Sequence, residues 1–323
     1  MEMDSTPTYR HGARPVAPYS LRAPSPPQVV IPTPALQDAN DFIRVVPSYD
    51  NVDPASLSID DLKVITQNHR VQAAYDPASS WSYSSRRTAQ PILDFVYLGP
   101  LNLARDKEWL RANGITLLLA ARQEKQANIQ LMTTNKVAQE LGIQSAYVDV
   151  IDNHELAHTF PSAVRTINNH MLSIYRGQRL SDPDLEVGDG EMVIPNQSFR
   201  RGKVLVFCET GNDRSAGIVV AYLMAVFGLT MVEACQFVVM KRFCVGINDE
   251  LKFLLRAYED LLYAQRTVHR HQLYSGTDLV KSRKRRIDDT VGEDAEMGGA
   301  DGTSAQDQER FSGRESFAPF IDQ

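Results

Sequence analysis

Cysteine is scarce in this chain: Cys208, Cys235 and Cys244 are the only three among 323 residues. An odd number at these spacings makes neither an even disulfide framework nor a metal-ligand set. A stapled secreted scaffold and a structural metal site are therefore not expected, and a reducing cytosolic or nuclear compartment is. Long apolar runs are also missing. The longest, Ile218–Val226, is interrupted and too short to span a bilayer. The start, Met-Glu-Met-Asp-Ser, has no apolar secretory core, so no membrane role is expected. Basic excess is absent too: the formal charge is −6, which argues against a dedicated nucleic-acid binder. No internal repeat or heptad pattern appears. A hydrophobic fraction of 43% with 17 prolines suits one globular domain with polar flanks, or two small domains.

Residues 1–80 are rich in Pro and Ser, as in PSPPQVVIPTP, and are expected to be mostly disordered. Within them Ser58–His69 has the pattern of a short helix capped by Ser58, ordered only by docking on something else. The folded domain is expected over residues 81–267. Ile92–Leu98, Ile115–Ala120, Ile143–Val150 and Val204–Phe207 read as strands. Asn102–Ala112, Asn128–Leu141, Phe160–Tyr175, Ala216–Val226, Met231–Val239 and Leu251–Tyr263 read as helices. Alternation of this kind implies an α/β fold, a central and mostly parallel sheet flanked by helices. Residues 177–201 break the rhythm with Asp182, Asp184, Glu186, Gly188 and Gly190, and read as a surface insertion. From residue 268 to 323 the chain reads as a disordered charged tail. There the basic cluster Lys281–Arg286 (KSRKRR) is either a solvated charge run or a nuclear import signal, giving an expected location in cytoplasm, nucleus or both.

The most informative stretch is Val204–Gly217, VLVFCETGNDRSAG. An apolar strand, a short loop and a helix make a phosphate cradle: loop N–H groups point inward and the helix N-terminus adds positive potential. Cys208 at the loop's start supplies a nucleophile, and Arg214 at its end a bidentate clamp. A lone Cys closing a strand is ordinarily a small apolar core residue. Gly211 and Arg214 at these spacings outweigh that alternative. Glu209, Thr210, Gly211, Asn212 and Asp213 form the rest of the loop. Gly211 suits a backbone angle other residues avoid. Ser215 is either a hydrogen-bond donor to the Cys208 thiolate or an ordinary helix-start Ser.

The Cys-x5-Arg spacing resembles the signature of the protein tyrosine and dual-specificity phosphatases. Further matches run in one order: Trp81-Ser82-Tyr83, Arg86-Arg87, Ile92-Leu93, Tyr97-Leu98-Gly99-Pro100, Gly114-Ile115-Thr116, Asp152-Asn153, Phe160-Pro161 and Arg242-Phe243-Cys244. Over about residues 80–265 this order resembles the serine/threonine/tyrosine-interacting (STYX) pseudophosphatase group of that family. The resemblance implies a dual-specificity-phosphatase-like fold, no cofactor and no metal. Its partners would be proteins carrying phosphotyrosine, phosphoserine or phosphothreonine. It also implies Asp152 as the general acid, with Asp149 a rival in the same segment and a solvated loop carboxylate the plain alternative for each. His154 and His158 lack metal-ligand partners and read as surface residues.

The resemblance also implies a competing role, a scaffold that binds phosphoproteins or signalling and ubiquitin-ligase partners without cutting. The interacting group has Gly in place of Cys208 and keeps a His where this chain has Phe207. A rhodanese-like sulfur transferase also places a Cys before a helix, but Arg214 and the flanking matches favour phosphatases. Phe207 supplies no hydrogen bond to the loop. Glu209 and Asp213 put carboxylates near a dianion. If they face inward at ~7 Å, each opposes it by roughly 2 kcal/mol at an effective dielectric of ~20, and each raises the Cys208 pKa.

Overall fold

In the computed structural model, the described residues are 29–34, 42–49, 52–53, 56–77, 80–127, 134–181 and 200–277. The chain divides into a unit of residues 1–275 and a C-terminal unit of residues 276–323. Everything below concerns the first. The expected import cluster at 281–286 and most of the expected insertion, residues 182–199, lie outside the described residues.

The central sheet has five strands: β3 (Gln90–Pro91), β4 (Val96–Pro100), β5 (Leu117–Gln123), β6 (Gln144–Val150) and β7 (Val204–Cys208). Their order is β3-β4-β7-β5-β6, with β3 antiparallel to β4 and the other neighbours parallel. The mostly parallel α/β architecture expected from the alternating pattern is present. β7 is the middle strand and every one of its residues is buried. A central parallel strand is covered on both faces, so a continuous apolar run is what it requires.

Side chains of β7 alternate between two cores. Val204, Val206 and Cys208 belong to the larger one; Leu205 and Phe207 belong to the smaller one. The larger core is filled by α5 (Asn153–Ser181), α6 (Arg214–Val226), α7 (Met231–Lys241) and α8 (Asp249–Thr277). The smaller core is closed by Leu110 of α2 (Lys107–Asn113) and Ala138 of α4 (Asn135–Leu141). A short helix, α3 (Glu124–Ala127), follows β5. Gly114 and Gly142 end α2 and α4 in the left-handed conformation, at φ +67° and +66°. A polar cluster ties α5 to the sheet's start: His170 meets Thr116 Oγ1 at 2.7 Å and Gln144 Oε1 at 2.9 Å. Burial pulls its imidazole down to about 4, so it stays neutral at physiological pH.

Several expectations need correction, among them the charged tail expected from residue 268, whose first residues continue α8 as far as Thr277. Ordered structure begins well before Trp81. A two-stranded antiparallel ribbon pairs β1 (Phe42–Val45) with β2 (Gln72–Tyr75), and α1 (Ile59–Thr66) lies between them. Val45, Val52, Leu57, Leu62, Ile65 and Ala74 enter the larger core. Ser58 does cap α1, accepting the Asp61 N–H at 3.1 Å. Sparse apolar residues among many prolines conceal this docking, although burying each Leu or Ile contributes about 2 kcal/mol. Next, α5 begins at Asn153, seven residues before the expected Phe160, and carries Pro161 in its interior. It also continues to Ser181, so the first residues assigned to the insertion are helical. Finally, the strand expected at Ile92–Leu98 is displaced to β4, and residues 92–95 form a bend.

Candidate active site

The loop from Cys208 to Arg214 leaves the carboxyl end of β7 and enters α6, the place where open α/β sheets bind ligands. Its shape depends on Gly211, whose φ is +75°. A Cβ there would lie 2.4 Å from the Gly99 carbonyl carbon and 2.5 Å from its oxygen. Both the backbone angle and the close approach therefore demand Gly. We expect Gly211→Ala to destabilise the protein by about 3 kcal/mol and to perturb the thiol. A denaturant titration beside a thiol-alkylation rate checks this; a loss under about 1 kcal/mol would show that the loop relaxes freely.

Cys208 is 1% exposed, and its sulfur accepts the Gly211 N–H at 3.2 Å and the Ser215 hydroxyl at 3.1 Å. Burial by itself raises this thiol. The Ser215 hydroxyl and the N–H groups of Ser215, Asp213 and Gly211 outweigh it, and the pKa ends below the ordinary Cys value. The other two cysteines go the opposite way. Burial pushes Cys235 up to about 12 and also raises Cys244. Ser215 is thus the donor that the sequence left undecided.

Arg214 opens α6, and its Nη1 is buried without a hydrogen-bond partner. A buried guanidinium N–H with no acceptor is costly, and an oxyanion bound by the loop supplies what it needs. Glu209 is exposed and is among the residues lining a neighbouring cavity with Arg86 and Arg87. Asp213 is partly buried. Burial raises its pKa, Arg214 opposes the rise and Glu250 adds to it. Thr210 Oγ1 accepts the Asn212 N–H at 3.3 Å.

The two acid candidates part company. Asp149 on β6 is locked in a two-point ion pair with Arg122, at 2.6 and 2.7 Å, and Arg122 stacks on Tyr147 at 3.8 Å from the ring centre. Asp152 is exposed beside the first turn of α5 and accepts the Glu155 N–H at 3.1 Å, while Glu155 returns a bond to the Ile151 N–H at 2.7 Å. These two bonds close the turn that leads into the long helix. His158 is exposed, as expected.

Phe207 explains how the loop dispenses with a polar residue before the thiol. Its ring is fully buried in the smaller core, away from the loop, and contributes packing only. The hydrogen bonds that hold the loop come from Arg242, whose role the sequence did not disclose. Arg242 is completely buried. It donates to Gly211 O at 3.1 Å, Thr210 O at 3.2 Å and Asn212 Oδ1 at 3.0 Å. On its other side it donates to Thr88 O at 2.7 Å, Arg86 O at 3.0 Å and the Gln90 side chain. The loop is also tied by Gly246 N–H to Asn212 O and by Leu101 N–H to Glu209 O. The only sequence signal for Arg242 was its place in the Arg-Phe-Cys triplet.

With this geometry established, comparison with known proteins is informative. Residues 187–261 match the family model described as dual specificity phosphatase, catalytic domain. The serine/threonine/tyrosine-interacting protein of Mus musculus is 27% identical over 67% of this chain and 89% of its own length. Dual specificity protein phosphatase 26 of Homo sapiens is 30% identical over 52% of this chain and 65% of its own. The crystal structure of the human tyrosine phosphatase-like serine/threonine/tyrosine-interacting protein aligns with a TM-score of 0.40 at 27% identity, over 54% of this chain and 97% of that one.

Proposed function

We propose that this chain, in which residues 187–261 match the dual specificity phosphatase catalytic domain model, hydrolyses phosphate monoesters on proteins through Cys208. One observation carries the reading: a single sulfur with a lowered pKa, cradled by N–H groups, next to an arginine whose buried nitrogen lacks an acceptor. A working nucleophile needs the first and a phosphate clamp the second.

The chemistry runs in two steps. The Cys208 thiolate attacks phosphorus, an S–P bond forms, and the bond to the tyrosine, serine or threonine oxygen breaks. Arg214 and the loop N–H groups take up the charge on the equatorial oxygens. The departing oxygen receives its proton from Asp152, whose Oδ1 also accepts the Glu155 N–H. Water then attacks phosphorus, the S–P bond breaks, the thiolate returns and inorganic phosphate leaves. The Ser215 hydroxyl stabilises the departing thiolate in this second step. The capping duty of Asp152 favours modest turnover.

A second reading is favoured by that same capping and by Phe207: the cradle holds phosphoproteins without cutting them. Hydrolysis of a small aryl phosphate across pH separates the two. The thiolate is the reactive form, so a lowered pKa brings activity in at lower pH than an ordinary Cys allows. Ser215→Ala removes a stabiliser of the charged form and should shift the rising limb of kcat/KM toward higher pH by about one unit. An unmoved limb would separate Ser215 from the thiol's activation, and absence of turnover at every pH would leave the binding role.

A further inference from the structure

Beside the Cys208 loop lies a cavity of about 340 Å3, lined by Tyr83, Arg86, Arg87, Pro100, Asn102, Glu209, Thr210 and Asn212. Two arginines and one glutamate are among its lining residues. The arginines sit on a short 3-10 turn, Tyr83–Arg87, whose backbone is fastened to the loop. Arg242 Nη2 donates to both Arg86 O at 3.0 Å and Thr210 O at 3.2 Å, so one buried nitrogen joins the two walls. Asn102 Nδ2 fixes Arg87 O at 3.2 Å. The Arg86 guanidinium is pinned over the Tyr83 ring, 4.8 Å from its centre, and donates to the Tyr83 hydroxyl. Arg87 is exposed and makes no side-chain bond among the described residues. The result is a pre-set basic wall on the loop's outer side, with one fork held and one free. Glu209 is the one acid in the lining, against two arginines.

We propose that Arg86 and Arg87 form a second anion subsite, taking a carboxylate or a second phosphate carried by the protein whose phosphorylated residue occupies the Cys208 loop. The proposal rests on the phosphate reading of that loop and narrows the substrate class to phosphoproteins with further negative charge near the phosphorylated residue. A planar guanidinium fork accepts two oxygens at once, which suits both sources of charge.

Calorimetry on the full chain carrying Cys208→Ser, with an unphosphorylated control and three phosphopeptides, tests it. One peptide bears a single phosphotyrosine with neutral flanks, a second adds flanking aspartates, and a third adds a second phosphate. At least one of the added charges should tighten binding about tenfold, and whether the aspartate or the phosphate peptide gains identifies the source. Arg86→Ala combined with Arg87→Ala should collapse the affinities toward a common value. Arg87→Glu should reverse their order. Equal affinities in the parent, or a preference that survives the double variant, would overturn the subsite. If phosphotyrosine itself adds nothing over the unphosphorylated peptide, the reading of the Cys208 loop fails instead. Loss of an acidic preference on removing the arginines would then still support the subsite.

Discussion

Cys208→Ser lowers kcat for a small aryl phosphate by at least about three orders of magnitude, because a neutral hydroxyl replaces the attacking thiolate. The serine oxygen is a far weaker acid than the thiol. The Gly211 N–H and Ser215 hydroxyl that hold the sulfur at 3.2 and 3.1 Å do not ionise it at neutral pH. The size change is small, so the cradle and Arg214 persist and phosphopeptide affinity is retained. Steady-state hydrolysis and calorimetry on one preparation read both halves. Turnover surviving within about tenfold of the parent would sink the role of Cys208. Loss of both turnover and binding would point to collapse of the loop, a result that circular dichroism and thermal melting would reveal.

Arg242→Met should destabilise the domain by about 3–5 kcal/mol, the scale for removing one side of a buried charged network. The substitution keeps an unbranched chain of similar reach but removes all five donors. Thr88 O, Arg86 O, Gly211 O and Thr210 O then lose their bonds inside the protein. Each unpaired buried acceptor costs on the order of 1 kcal/mol or more. Arg242→Lys should recover only part of the loss, since a point ammonium cannot serve acceptors on both sides of the fork. Urea unfolding gives the difference directly, and a loss under about 1 kcal/mol would mean that water reaches these carbonyls. The Arg242→Met protein, where folded, should also show slower alkylation of Cys208 at neutral pH, because Gly211 loses the anchor that aims its N–H at the sulfur.

What the sequence discloses depends on how local the cause is. The strand Val204–Cys208, its loop and the helix Arg214–Val226 are legible because each is fixed by neighbours in the chain: an apolar run, a required Gly, an uninterrupted buried helix. Ser215 is half legible; its spacing allows the bond to Cys208, but only the helix start sets the direction. The ribbon and helix of residues 42–75 are hidden because their partners lie elsewhere, as when Asp61 meets Arg176 of α5 at 3.7 Å. Arg242 is hidden for a stronger reason. Arginine is among the residues least often buried, and nothing beside it in the chain announces six acceptors drawn from two distant segments. Asp152 is legible as an acidic loop residue before α5. Its capping bond is not, because the helix starts seven residues earlier than Pro161 led one to expect.

The Arg242 staple also sets the order in which the protein is made ready. Its contact with Thr88 spans 154 positions of sequence, and its contact with Gly211 spans 31. Closing a span of the first kind is slow and is rewarded only when both ends are in place. The sheet and α6 can therefore assemble while the sulfur still lacks its aimed N–H. During synthesis, with β7 and α6 formed but residue 242 not yet free to dock, Cys208 already has the Ser215 hydroxyl, while Gly211 still lacks its Arg242 anchor. The last tie therefore completes the thiol's donor set rather than creating it.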